Sequence, residues 1–142
     1  MRNIFKTLLP LLFPGAIMAC SVAGAGGANE ALMSSVQATT GTGTVTFTFQ
    51  VTNTTTEPIE LEFADGQSFE FLVMRDGSEV WRWSDGQAFT QAERVMVLPA
   101  GETVRYQAVW NAPTAASGEY VVIAALTSRD GGVRQGATFR LP

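Results

Sequence analysis

The stretch TVTFTFQVT, Thr44–Thr52, alternates without a break between apolar side chains and threonine or glutamine. Successive side chains of a strand point to opposite faces. Val45, Phe47, Phe49 and Val51 therefore share one face, and Thr44, Thr46, Thr48 and Gln50 share the other. The period is two, not the 3.6 of a helix, and β-branched threonines suit the solvent side of a pleated surface. This part of the chain is committed to a half-buried strand.

The same rhythm recurs along the chain. PIELEF turns Ile59, Leu61 and Phe63 inward and Glu60 and Glu62 outward. SFEFLVM groups Phe69, Phe71 and Val73, and TVRYQAVW sets Val104, Tyr106, Ala108 and Trp110 against Arg105, Gln107 and Val109. EYVVIAAL is apolar on both faces, with Tyr120, Val122, Ala124 and Leu126 on one and Val121, Ile123 and Ala125 on the other, which marks a central strand. ATFRL makes a last strand. Turn signals separate these runs: Asn53 with Glu57-Pro58, Asp65-Gly66, Asp76-Gly77, Asp85-Gly86, Pro99-Ala100-Gly101, Ala116-Ser117-Gly118 and Asp130-Gly131-Gly132. Short strands, regular turns and no helical segment predict an all-β antiparallel sandwich of about seven to nine strands; closure into a barrel is the alternative. Gly118-Glu119-Tyr120, at the start of the central strand, is the setting of a tyrosine corner.

Composition narrows the function classes. Hydrophobic residues make up 46% of the 142 positions, enough for a sizeable core, so the chain reads as one folded domain. There is no histidine, so Ser35, Ser84 and Ser117 have no partner for a catalytic triad, and the commonest metal ligand is missing. A single cysteine, Cys20, rules out an internal disulfide and a thiolate metal cluster. A net charge of −4 argues against nucleic acid, whose phosphates require a basic patch. Asp65, Asp76, Asp85 and Asp130 each precede glycine and read as turns, and no loop has the oxygen density of a calcium site. Glu60 and Glu62 alternate with core positions, so they read as a solvated strand face before an acid–base pair. The expectation is a chain that is not an enzyme and uses no cofactor or metal.

The N-terminal stretch MRNIFKTLLPLLFPGAIMA, residues 1–19, has a basic start at Arg2 and Lys6. A short apolar run follows, broken by Pro10, Pro14 and Gly15, too short for a comfortable membrane span. Its end, Ile17-Met18-Ala19-Cys20, resembles the lipobox of bacterial lipoprotein signals, with isoleucine where leucine is usual. That resemblance implies cleavage before Cys20 and lipid attachment at its thiol. An ordinary cleavable signal ending at Ala23-Gly24-Ala25 is the alternative. Cleavage before Cys20 would remove two of the nine basic side chains and shift the net charge from −4 to −6, leaving no lysine. Membrane attachment would then rest on the lipid alone. Residues 20–30, small and rich in Gly and Ala, read as a flexible tether, and residues 31–142 as the domain. Ser21 in place of an aspartate favours the outer membrane or cell surface for an exported, lipid-anchored protein.

VWRWSDGQAFTQ, Val80–Gln91, carries two of the three tryptophans two positions apart, then a polar run, then Phe89. Together with VTNTTTEPIELEF, DGQSFEFLV, LPAGETVRYQAVW and GEYVV, in that order, it resembles the intracellular proteinase inhibitor family, the BsuPI domain. The resemblance runs from about Leu32 to Leu126 and is most specific over Gly66–Gln91. It implies an immunoglobulin-like sandwich and inhibition of a cytoplasmic subtilisin-like serine protease, a target that an exported chain would not meet. Two readings of the tryptophan stretch follow. In one, Trp81 and Trp83 pack on the core or a sheet edge and Phe89 plugs the rim. In the other, Ser84, Asp85, Gly86, Gln87, Phe89, Thr90 and Gln91 form a loop that enters a protease cleft, with Phe89 filling an apolar pocket. A non-inhibitory adhesion or scaffold module that binds another envelope protein is the alternative function.

Overall fold

The computed structural model describes residues 31–130 and 132–142. The signal segment 1–19, the lipid site Cys20 and the tether 20–30 lie outside the described residues. The described chain has nine strands: β1 (Leu32–Thr40), β2 (Thr44–Asn53), β3 (Ile59–Phe63), β4 (Phe69–Arg75), β5 (Ser78–Arg82), β6 (Arg94–Leu98), β7 (Thr103–Asn111), β8 (Gly118–Leu126) and β9 (Arg134–Leu141). Their hydrogen bonding divides into three antiparallel sheets: β1-β2-β7, β5-β4-β8-β9 and a two-stranded ribbon β3-β6. Pairing does not run continuously around the molecule, so the arrangement is a sandwich and not a closed barrel. The two larger sheets carry the strand order of an immunoglobulin-like fold, with hairpins β4-β5 and β8-β9 in one sheet.

The alternation in β2 does what its period dictates. Val45, Phe47, Phe49 and Val51 are buried, and the threonines between them reach the surface. Phe47 meets Phe71 at 5.8 Å and Phe139 at 5.5 Å between ring centroids, which joins the two large sheets. β8 is indeed central, between β4 and β9, which explains why both its faces are apolar. The Tyr120 hydroxyl donates to the Ala116 carbonyl at 2.6 Å, closing the tyrosine corner, and Arg75 Nη1 donates to the same hydroxyl at 2.7 Å. Between β4 and β5 the Asp76-Gly77 pair has φ of 49° and 78°. Positive φ at both central residues is the geometry a two-residue hairpin needs, and Asp-Gly tolerates it.

Three strands lack a clear alternating signature. β1 mixes Leu32 and Val36 with serine and alanine, β5 is an exposed edge strand, and β6 is apolar on both faces. β5 ends at Arg82, so Trp83 lies just past the strand that holds Trp81. Its N–H still donates to the Phe71 carbonyl at 2.9 Å.

One buried polar side chain ties several loops together. Asn53, fully buried at the end of β2, donates from Nδ2 to the carbonyls of Glu57 (2.8 Å) and Leu98 (3.0 Å). Its Oδ1 accepts from the Thr55 N–H (2.9 Å) and the Thr55 hydroxyl (2.7 Å). The Asn-led turn read from the sequence thus also reaches the far end of β6.

Candidate functional site

The segment between β5 and β6, residues 83–93, is the longest stretch between consecutive strands in the described chain. From Asp85 to Glu93 every residue is exposed except Phe89, which is half-buried. Such a segment would be mobile if nothing held it, and here it is held at several points. The Ser84 N–H donates to Glu70 Oε1 at 3.0 Å, fixing the loop to β4. Two turns follow, Asp85 N–H to the Arg82 carbonyl (3.2 Å) and Gln87 N–H to the Ser84 carbonyl (3.0 Å). The Thr90 carbonyl accepts from the Gly66 N–H at 2.9 Å. At its far end Glu93 pairs with Arg129.

Any side chain at Gly66 would crowd the loop. A Cβ there would lie 2.7 Å from Thr90 Oγ1 and 3.1 Å from the Thr90 backbone nitrogen. The Asp65-Gly66 turn therefore supplies both a donor and the space for the loop to lie against it. Arg94, where the loop re-enters the fold, donates from Nε to the Asp65 carbonyl (3.0 Å) and stacks over the Phe63 ring at 4.3 Å.

The two tryptophans do different work. Both are half-buried. Trp81 packs on the core, 5.9 Å from Phe47 and 6.2 Å from Trp110. Trp83 stacks on Phe69 at 4.2 Å, and Phe69 stacks on Tyr106 at 4.6 Å. Phe89 stands on Trp83 at 5.8 Å. An aromatic column thus runs from the loop, Phe89-Trp83-Phe69-Tyr106, into the sandwich. The Tyr106 hydroxyl at its base is buried without a well-formed hydrogen bond, and that burial pushes its pKa up, opposed by nearby Ser68 and Arg94. Beside the loop, Arg82 makes a two-point contact with Glu79 (2.8 and 3.1 Å) and lies 3.6 Å from Glu70. The hydrogen bond from Arg82 holds the Glu79 carboxyl below its ordinary range.

The loop residues singled out in the sequence lie along one ridge, with Asp85, Gly86, Gln87, Thr90 and Gln91 exposed and Ser84 and Phe89 half-buried. Their supports, Gly66, Glu70 and Arg94, were not singled out. Asp65-Gly66 is visible as a turn, but its contact with Thr90 spans more than twenty residues of chain and has no local signal. Glu60 and Glu62 are exposed on the β3 surface, as their alternation implies. The ridge presents a backbone already held in one shape, with short, mostly uncharged side chains pointing outward. Chemically it can fill a cleft with little loss of chain entropy on binding.

The family described as BsuPI, intracellular proteinase inhibitor, matches residues 32–131. No curated protein matches the chain. Among solved structures, a β-glucosidase from Erythrobacter marinus is similar at 13% identity with a TM-score of 0.45, over 78% of this chain and 15% of that one. The GAE domain of GGA2p from Saccharomyces cerevisiae is similar at 13% identity with a TM-score of 0.31, over 82% of this chain and 94% of that one.

Proposed function

The chain belongs to the BsuPI family of intracellular proteinase inhibitors, and we propose that it blocks a subtilisin-like serine protease by laying residues 84–93 in the enzyme's cleft. The observation that carries this reading is the combination of exposure and anchorage in that segment. Asp85–Glu93 is open to a partner except at Phe89, while Glu70, Gly66 and the aromatic column hold its backbone. An extended chain entering a protease cleft pairs through its main chain, and a chain already held in shape forfeits less entropy on docking. Gln87, Ala88, Thr90 and Gln91 are the side chains presented to the enzyme. Phe89, resting on Trp83, serves as the strut beneath them rather than as a plug for the enzyme's pocket. The domain performs no reaction of its own.

The test is a titration of the full chain against subtilisin-like and trypsin-like proteases, with the integrity of the added chain followed in parallel. Saturable inhibition at a fixed ratio, with the loop uncut, is expected. Phe89→Ala and Gly66→Ala should each weaken inhibition by about 10- to 100-fold with the β-sheet circular dichroism retained. Absence of inhibition across the panel would overturn the reading in favour of a non-inhibitory scaffold module.

We further propose that the chain is exported and held at a membrane by lipid on Cys20, so that its target protease lies outside the cytoplasm. Support comes from the basic start, the interrupted apolar run and the Ile17–Cys20 pattern. Cells fed a labelled fatty acid should transfer label to the wild-type chain and none to Cys20→Ser. Equal labelling of the two would rule out Cys20 as the attachment site.

A further inference from the structure

The loop runs directly into the β3-β6 ribbon, whose first β6 residue, Arg94, is one of its supports. Among the described residues β6 pairs with β3 alone, so its other edge offers unpaired backbone groups. Edge strands are ordinarily guarded by an outward charge, a proline or a bulge. β6, Arg94-Val95-Met96-Val97-Leu98, has no such guard. Its one charge, Arg94, turns inward over Phe63, and its pairing with β3 is regular over all five residues. Val95 and Val97 are instead 58% and 52% exposed. Directly opposite them on β3 stand Glu62 and Glu60, both exposed and without a paired cation among the described residues. The outer face of the ribbon therefore has two valines beside the free edge and two carboxylates one strand behind. An open cleft of about 540 Å³, lined by Glu62, Phe63, Glu93, Arg94, Val95 and Arg129, joins this face to the end of the loop.

We propose that the free edge of β6 is a second contact for the protease, taking an extended segment of the enzyme as an added strand in which arginine or lysine alternates with apolar side chains. Neighbouring strands lie about 4.8 Å apart, so a side chain on the added strand lies roughly 10 Å from the β3 carboxylates. An arginine or lysine spans that distance by laying its methylene stem over Val95 or Val97 and meeting Glu60 or Glu62 with its charged head. Backbone pairing supplies register, and the valine–carboxylate pattern selects the sequence. A second copy of this chain is a poor occupant. Its β6 brings only Arg94, already engaged, and its β3 brings two more carboxylates. The proposal rests on the inhibitor reading for the identity of the partner, while the edge site itself is testable alone.

The probe is an end-blocked octapeptide of alternating arginine and valine, with a glutamate–valine octapeptide as control, titrated into the full chain at low and high salt. The arginine–valine peptide is expected to bind at low salt, to slow amide exchange in β6, and to lose at least about tenfold in affinity against Glu60→Lys/Glu62→Lys. Equal binding to that double variant, binding without slowed exchange in β6, or dimerisation of the chain through β6 would each overturn the edge site. The same double variant in the protease titration separates the two ideas. Inhibition as strong as wild type would overturn the second contact and leave the loop reading intact. Peptide binding by a chain that inhibits no protease would overturn the enzyme as the occupant.

Discussion

Replacement of Asn53 by alanine is expected to destabilise the domain by about 3–5 kcal/mol, far more than its small change in volume suggests. The side chain makes four hydrogen bonds from a site with no solvent exposure. Alanine leaves the Leu98 carbonyl without its side-chain donor in a buried setting, and an orphaned buried group costs about 1–3 kcal/mol. The Glu57 carbonyl and the Thr55 N–H and hydroxyl are nearer the surface, so water recovers part of their loss. The damage should also be distributed, because these partners lie in the β2-β3 connection and at the end of β6. The main-chain bonds of Asn53, its N–H to the Glu102 carbonyl and its carbonyl from the Gly101 N–H, both 2.9 Å, would remain. Urea unfolding followed by tryptophan fluorescence would measure the change. A loss below about 1 kcal/mol would mean that water replaces the side chain at every partner.

Phe47→Ala is expected to cost about 3–5 kcal/mol by a different route. The ring has no solvent exposure and lies within 6 Å, centroid to centroid, of Phe71, Trp81 and Phe139. These neighbours belong to the opposite sheet, so deleting the ring removes contacts between the layers and opens a cavity that a packed sandwich cannot close. Phe47→Leu should cost distinctly less, because it preserves most of the volume. Because domains of this size are stable by only about 5–15 kcal/mol in total, the alanine variant should be near the limit of folding at 37 °C. Equal unfolding midpoints for the leucine and alanine variants would show that the site collapses around the missing ring, contrary to the packing described.

The difference between these two substitutions reflects what can be read locally. Phe47 announces its burial through its place in an unbroken alternation, and the same logic assigned the inward faces of β2, β3, β4, β7 and β8. Asn53 announces only a turn. That its amide also reaches Leu98, 45 positions along the chain, depends on how β6 is folded back against β3. The strands without a clear signature, β1, β5 and β6, are edge or ribbon strands with two, none and one buried side chains, so little core packing enforces an alternation. The loop residues were visible as a polar run around Phe89, but the contacts that hold them were not.

Sequence alone determined β2, β3, β4, β7 and β8 with their inner faces, the last strand, the turn at Asp76-Gly77, the tyrosine corner and the exclusion of histidine chemistry. Each of these depends on the identity of a residue and its near neighbours. Tertiary structure alone decided that Gly66 and Glu70 clamp the loop, that Trp83 carries Phe89 while Trp81 packs on the core, and that β6 leaves an edge open beside two carboxylates. Those outcomes require segments far apart in the chain to meet, and side-chain periodicity within one strand carries no information about which distant strand it will lie against.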